Sequence, residues 1–421
     1  MKILVCGANG FLGHHLCSVL VAAGHEVVRG VRVPVLAQDL AIDYAHVVHV
    51  EDWLPRLDDI DAVINAVGIL HEDLDKRFDA IHRDAPIALF KACELAGIRR
   101  VIQISALGGH DDAACTPYLR SKRQADAYLM QTDLDWSILR PSLVVGIDGG
   151  SSRFFRMLAS LPVVGLPGRG EQRLQPVHVD DVCAAVTHLL LPASDARTIV
   201  DAVGPVAMSY REMLQAYREA MRLPPAIWLP IPRRLMFGLA KAASCLRQRL
   251  ISPDSLRMLE QGSAGNPAAF ASLLGRAPGG PSTWFAGLAP EMLRAQAVMA
   301  WGLPLMRFAL ALVWLVTGVL SLGIYPVDQS LTLLSEVGLR GEPAAVALYG
   351  AALLDLGFGV ATLLAPGRWP WRLQMFLIAA YTAIITLFLP EYWLHPFGPV
   401  LKNIPILALL LLLDASESRK G

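Results

Sequence analysis

Apolar positions in the first 290 residues come in short runs broken by glycine and polar turns; beyond residue 300 they merge into four long stretches. The opening run, Lys2 to Val5, predicts a strand. CGANGFLG follows, with Gly7, Gly10 and Gly13 three apart, and apolar residues at helical spacing (Phe11, Leu12, Leu16, Val19, Leu20) lead to Gly24. GHEVVRGVR predicts a second strand ending on Arg32, and Leu40 to Tyr44 a short third one. DAVINAVGIL (Asp61 to Leu70) and RRVIQISALGG (Arg99 to Gly109) are nearly continuous apolar runs, the signature of parallel strands buried on both faces. Between them Ile81, Leu89, Phe90 and Leu95 mark a helix from about Phe78 to Ala96, stopped by Gly97. Trp136 to Gly146 reads as the sixth strand. Strands and helices alternating in this way predict an α/β fold built on a doubly wound parallel sheet, with a small substrate lobe after the sixth strand.

The long apolar stretches lie at about 303–325, 343–365, 371–389 and 397–413, each near the ~20 residues that cross a bilayer. Four in series argue against core helices of a soluble domain and for a four-helix membrane bundle. Arg294 and Arg307 stand at the start of the first stretch, Arg368 and Arg372 in the second connection, and Arg419 and Lys420 at the end. The first connection carries Asp328, Glu336 and Glu342 with one arginine. Alternation of basic ends predicts a multi-pass inner-membrane protein with both termini cytoplasmic. An N-terminus that enters a strand directly carries no cleavable signal peptide, which agrees. Asp355, inside the second stretch, is costly at membrane depth and is a functional candidate beside Tyr381 and Arg307; a carboxyl that fixes helix packing is the plainer account. Between the two parts, Trp228 to Leu250 reads as basic and amphipathic: Arg233, Arg234, Lys241, Arg247 and Arg249 accompany Leu235, Leu239, Ala243, Leu246 and Leu250. It suits an anionic membrane surface or a helix packed on its own lobe. Residues 262–290, rich in Gly, Pro, Ala and Ser, predict an irregular connector with short helices. The expected division is 1–222, 223–300 and 301–415.

Composition sharpens this picture at three points. A hydrophobic fraction of 54% and a mean hydropathy of +0.44 in 421 residues exceed those of a purely soluble protein. A net charge of zero gives no footing for nucleic acid. Six cysteines (Cys6, Cys17, Cys93, Cys115, Cys183, Cys245) without a C-x-x-C read as small buried hydrophobes, with no disulfide frame and no metal site.

Candidate chemistry gathers where strands end. A strand, a glycine loop and a helix open a dinucleotide-binding unit, in which Gly7, Asn9, Gly10, Phe11, Leu12 and Gly13 approach the pyrophosphate at the helix N-terminus. Arginine at the end of the second strand accommodates a 2′-phosphate where an acid would hold the ribose of NAD. Arg32, ahead of Arg29, therefore favours NADP(H), with NAD(H) as the alternative if the arginine is only a solvated cation. Asp43 and Tyr44 are positioned for the adenine, and Asn65, Ala66, Val67 and Gly68 for the next edge of the nucleotide. YLRSK puts Tyr118 and Lys122 one helical turn apart, with Ser105 at the end of the preceding strand. An ammonium lowers a neighbouring phenol's pKa and binds ribose hydroxyls, and a serine hydroxyl holds a substrate carbonyl. His178, Asp180 and Asp181 suggest a metal or a triad, but an Asp ahead of VCAAV is first a helix N-cap.

In order along the chain, GANGFLG, VINAVGIL, QISALGG, YLRSK, ILRPSLVVG and QPVHVDDV resemble an atypical, extended short-chain dehydrogenase/reductase. The combination with the apolar C-terminal part resembles bacterial NAD(P)-binding proteins fused to a DoxX-like membrane region. More distantly, it is similar to the NADPH-binding accessory subunit of complex I. The resemblance implies a Rossmann fold, with Ser105, Tyr118 and Lys122 in the catalytic positions and Pro141 and Ser142 bordering the nicotinamide. It also sets His82 and Glu72 near the nucleotide, where a surface or capping role is an equal reading. The expected activity is hydride transfer between NADP(H) and a carbonyl or alcohol that is lipid-soluble or quinone-related. The alternative is a non-catalytic nucleotide-binding protein that assembles, stabilises or senses a membrane protein complex. An epimerase or dehydratase acting on a nucleotide sugar is weaker, since nothing in the lobe specifically suggests a sugar.

Overall fold

The computed structural model describes residues 1–37, 39–73, 76–108, 116–191, 194–245, 252–396 and 398–417. Gly109, Cys115, Leu246, Arg247, Arg249, Leu250, Arg419 and Lys420 lie outside them, as do the side chains of Leu239, Ala243 and Cys245. The chain divides into two units, Met1–Ala297 and Val298–Gly421.

In the first unit the apolar runs form seven parallel strands: β1 (Lys2–Cys6), β2 (Glu26–Val31), β3 (Asp39–Ala41), β4 (Ala62–Asn65), β5 (Arg100–Ile104), β6 (Asp135–Pro141) and β7 (Thr198–Ala202). Their order across the sheet is β7-β6-β5-β4-β1-β2-β3. The connection reverses direction between β1 and β4, and a Rossmann sheet opens a ligand crevice at such a switch point. Alternate residues of each strand serve opposite cores. Ile3, Val5, Ile64 and Ile102 pack with Leu16 and Leu20 of α1 (Phe11–Ala22). Leu4, Val63 and Val101 pack with Leu89 and Phe90 of α2 (Ala85–Leu95) and Ala125 and Leu129 of α3 (Pro117–Leu129). Burial on both faces is why these strands read as unbroken apolar runs.

The strand in the run from Asp61 ends on Asn65 and that in the run from Arg99 on Ile104, next to the Ser105 expected to close it, and there the backbone turns out to form the crevice. Two differences from the sequence reading have local causes. The helix expected over 78–96 begins as a π turn, Asp79–Asp84, before α2. Pro86 has no N–H to give the carbonyl four residues back, which favours the wider winding there. The run Trp136–Gly146 breaks after Pro141, leaving Val144–Val145 as a separate strand.

His178, not an aspartate, caps the helix Val179–Leu189, its ring accepting from Asp180 N. Asp181 lies inside that helix and reaches far along the chain. Its two oxygens accept from Arg276 (2.5 Å) and Gly279 N (2.7 Å). The stretch expected as an irregular connector is thereby folded onto the first unit. Phe270 and Leu274 join the α1 core, and Trp284, Phe285 and Leu293 join Tyr210, Met213 and Tyr217 in the core of the small lobe. Averaged composition hid these few large residues among Gly and Pro. Earlier in that lobe, Val163–Pro167 pairs with Ile227–Ile231, and the helix Arg233–Cys245 follows.

Among the described residues, three helices are long and apolar enough to cross a membrane: Pro290–Ile324, Glu342–Leu364 and Arg368–Phe388. The fourth stretch forms a shorter helix, Asn403–Ser416, of 14 residues. It nonetheless shares a core with the others through Leu310, Trp314, Trp371, Ile378, Leu410 and Leu413. The acidic first connection contains a further helix, Val327–Glu336. A buried polar chain links three of these helices: Trp314 donates to Gln374 (2.7 Å), which donates to Thr362 (3.1 Å). Arg307 pairs with Glu417 (2.7 Å) and Arg372 with Asp414 (3.3 Å). These pairs put Arg307 of the first long helix, the start of the third and the end of the short one on one side, as alternating directions require. Asp355 is part-buried, with Thr317 and Tyr381 as neighbours.

Replacing Asp181 by Ala removes both anchors of residues 276–279. We expect a loss of about 1–3 kcal/mol from the first unit, seen as a lower first transition on heating, and faster proteolysis within 262–290.

Candidate functional site

The glycine loop is built by contact. Gly7 sits at φ +83°, a left-handed conformation that glycine adopts without strain, and Gly10 N donates to its carbonyl (2.8 Å). A Cβ on Gly13 would lie 2.1 Å from that same oxygen, so α1 packs on the loop only because residue 13 has no side chain. The first-turn amides of α1, at Phe11, Leu12 and Gly13, have no partner further back in the helix, which is the general feature that makes helix N-termini suited to anions. Phe11 turns its ring to Gly146 and Gly149; a Cβ on Gly146 would come within 2.7 Å of it.

Arg29 is committed within the fold. Its guanidinium donates to Asn9 Oδ1 (2.5 Å) and pairs with Asp39 (3.0 Å). Asp39, the acid paired across from it on β3, also accepts from Val35 N and Leu36 N, so its carboxylate is consumed. Arg32 remains exposed directly after β2. Asp43 faces its own turn, accepting from Ala45 N (3.1 Å) beside His46 (3.4 Å). Tyr44 does not reach outward: it is buried against Trp53 and donates to Asn65 Oδ1 (2.9 Å). Asn65 in turn donates to Gln103 (2.8 Å) and accepts from Val67 N (3.3 Å), fixing the turn after β4. Ala66 and Val67 press against Gly7, where an added Cβ would be 3.1–3.2 Å from them. Glu72 takes the capping role, accepting from Phe78 N (2.8 Å).

Lys122 crosses from α3 to the sheet. Its ammonium donates to Val67 O (3.3 Å) and Ile104 O (3.0 Å), spanning the ends of β4 and β5, and keeps one proton for another partner. Burial lowers its pKa to about 8 against the opposing pull of Asp126. Tyr118 departs from the simple expectation. Burial, with the nearby Asp126 carboxylate, raises its phenol to about 12, and its ring is walled by His82 (5.3 Å) and Phe78 (6.0 Å). Ser105 is buried and donates to Asp126 Oδ2 (2.5 Å), a carboxylate that also faces Arg140 (3.6 Å). Pro141 ends β6, and its carbonyl accepts from Leu107 N (2.9 Å), which holds the segment after Ser105 to the sheet. Ser142 is buried and donates to Gln175 O (2.5 Å).

Asp126, Arg140 and the inward aim of His82 were missed by the sequence reading. A signal for Asp126 was present: it follows Lys122 by four residues, as Lys122 follows Tyr118, so the three share one helix face.

Residues 7–159 match the NAD(P)H-binding family and residues 311–411 match the DoxX-like family. The chain is 29% identical over 266 residues to NADH dehydrogenase (ubiquinone) 1 alpha subcomplex subunit 9, mitochondrial, of Arabidopsis thaliana, covering 59% of this chain and 63% of that protein. It is 26% identical over 196 residues to the ceramide reductase of Caulobacter vibrioides, covering 43% of this chain and 58% of that protein. Both relatives are thus matched over less than two thirds of their length. A human epimerase family protein solved with NADPH shares the fold at 18% identity and a TM-score of 0.53, over 70% of this chain and 99% of that one.

Lys122 binds fewer protons in the folded state than in the unfolded chain between its lowered pKa of about 8 and the ordinary 10.5. Its contribution therefore makes stability rise with pH across that window, with the Tyr118 phenol opposing it only above its ordinary value of 10. We expect wild type to gain on a Lys122→Met variant as pH rises from about 8 to 10, read by thermal unfolding of both.

Proposed function

Because this chain joins an NAD(P)H-binding Rossmann domain to a DoxX-like membrane region, we propose that it is an NADP(H)-dependent oxidoreductase acting at an inner membrane. Hydride passes between the nicotinamide and the carbonyl or alcohol carbon of a lipid-soluble small molecule. The carrying observation is the Lys122 ammonium lodged between the ends of β4 and β5, on the helix face that also bears Tyr118. In this reading the glycine loop (Gly7, Asn9, Gly10, Phe11, Leu12, Gly13) takes the pyrophosphate. Asp43 borders the adenine, Asn65 to Gly68 and Pro141 border the rest of the nucleotide, and Lys122 holds ribose hydroxyls. Tyr118 supplies or takes the proton at the substrate oxygen. Its phenol needs the ammonium to approach, which nucleotide binding promotes by ordering the space between them. Ser105 orients the substrate oxygen. Arg32 selects the 2′-phosphate, since the nearby Asp39 is already paired with Arg29. The two parts divide near 300, after the segment that completes the cores of the first unit, with the nucleotide site and both termini cytoplasmic. The relative named as a ceramide reductase supports a lipid substrate, and a quinone-related molecule fits the same chemistry.

Two observations favour a second reading, a non-catalytic NADPH-binding protein that stabilises or senses a membrane complex. The Ser105 hydroxyl hydrogen is already given to Asp126, and the Tyr118 phenol is held neutral. The relative named as a subunit of NADH dehydrogenase is in keeping with it.

Labelled NADP(H) and NAD(H), chased separately from the full-length protein in detergent, separate the readings. Exchange within seconds supports a co-substrate, whereas release over hours supports a fixed cofactor. Arg32→Glu is expected to weaken NADPH roughly 10–100-fold relative to NADH, as loss of a charge-assisted contact does. In the oxidoreductase reading, Tyr118→Phe lowers turnover of a lipid-soluble carbonyl about 10²–10⁴-fold and leaves nucleotide affinity intact. Equal affinity of Arg32→Glu and wild type for NADPH would remove Arg32 from the site.

A further inference from the structure

His82 is a buried titratable group beside Lys122 and Tyr118 that the proposed chemistry leaves without a role. It is 2% exposed, on the π turn Asp79–Asp84, with its ring stacked on Phe78 (5.4 Å) and edge-on to Tyr118 (5.3 Å). An imidazole beside a phenol and an amine invites a proton-transfer role, and the hydrogen bonds reject it. Ile69 N–H can only donate, so the Nε2 that receives it at 3.0 Å carries no proton. Nδ1 therefore carries the proton and donates it to Ser121 Oγ at 3.1 Å, while Ser121's own hydroxyl donates to Tyr118 O at 2.9 Å. Both ring nitrogens are used within the fold. Burial, with the Lys122 charge, lowers the imidazole pKa to about 2, so the ring stays neutral across physiological pH.

What the ring does is join two elements. Nε2 holds the turn after β4 and Nδ1 holds α3. The same turn offers Val67 O to Lys122 Nζ (3.3 Å), and α3 carries Lys122 and Tyr118. A Cβ on Gly68 would lie 3.5 Å from Lys122 Nζ and 3.9 Å from His82 Nε2, so the two nitrogens border the same space. We propose that His82 is a positioning residue, a neutral Nδ1–H clamp that locks the β4 turn to α3 and thereby fixes the Lys122 ammonium and the Tyr118 phenol. The proposal rests on Lys122 being a nucleotide ligand, as set out above. Besides His82, the groups placed against that ammonium are the Asp126 carboxylate and the Val67 and Ile104 carbonyls.

The test uses the full-length protein in detergent, with NADPH binding followed by nucleotide fluorescence from about pH 6 to 10 and thermal unfolding of the same samples. Wild-type affinity is expected to fall as pH rises through about 8, where Lys122 loses its proton. His82→Phe keeps a ring but makes neither hydrogen bond. It should weaken NADPH about tenfold at pH 7 and move the inflection up, towards the ordinary lysine value. His82→Gln, which can still accept from Ile69 N–H, should restore most of both. Loss of stability alone would shift the unfolding temperature and leave the inflection in place. A folded His82→Phe with wild-type affinity and inflection overturns the proposal. If that variant does not fold, Ser121→Ala decides: it should weaken binding about threefold with an upward inflection, and wild-type behaviour overturns the proposal. In ¹⁵N-histidine spectra, one neutral Nδ1–H ring that does not titrate between about pH 5 and 8 and is absent from His82→Gln is expected; titration of that signal in this range would rule out a neutral clamp. Wild type that binds neither nucleotide fails differently, since it removes the reading of Lys122 on which the clamp depends.

Discussion

Burying an ammonium in the first unit is the constraint around which its site is arranged. A lysine taken out of water loses hydration that only hydrogen bonds and nearby charge replace. Lys122 meets this need with two carbonyls, one from the end of β4 and one from the end of β5, and with Asp126 one turn further along its own helix. For those carbonyls to be available, both strands must end early and turn outward. The short strands, the Asn65 bonds that shape the β4 turn and the His82 contact beside it all serve one placement. The same arrangement leaves a crevice at the carboxyl edge of the sheet, where a parallel α/β fold binds its ligand.

Much of this was legible in the sequence because it rests on local rules. Glycines at 7, 10 and 13 announce a loop whose backbone crowds a helix, and the structure has no room for a Cβ at residue 13. Continuous apolar runs announce strands buried on both faces, and Ile3 and Leu4 indeed enter opposite cores. Four apolar stretches announce helices that pack together, three of them long enough to span a bilayer.

What was not legible depended on contacts distant in sequence. Nothing near Asp181 says that it holds Arg276 and Gly279, and the 262–290 stretch, with its short helices, read as a connector and not as part of a core because Phe270, Trp284 and Phe285 are diluted by Gly and Pro. Tyr118 was expected to be acidified by Lys122, yet burial dominates, because a charge one turn away does not offset the lost hydration of a phenolate. Arg32 stood ahead of Arg29 by its place at the strand end; the bonds of Arg29 to Asn9 and Asp39 add a physical difference that position alone does not carry.

The late segment that Asp181 holds has a consequence in time. Phe270, Leu274, Trp284, Phe285 and Leu293 complete the cores of the first unit, and Leu293 already lies in the helix that continues as the first apolar stretch. On a ribosome the sheet therefore emerges before the pieces that seal it. Those pieces leave the exit tunnel together with the start of the first long apolar helix. Sealing of the first unit and emergence of that helix are thus adjacent events of synthesis, and a delay in sealing leaves unfinished apolar surface exposed to chaperones.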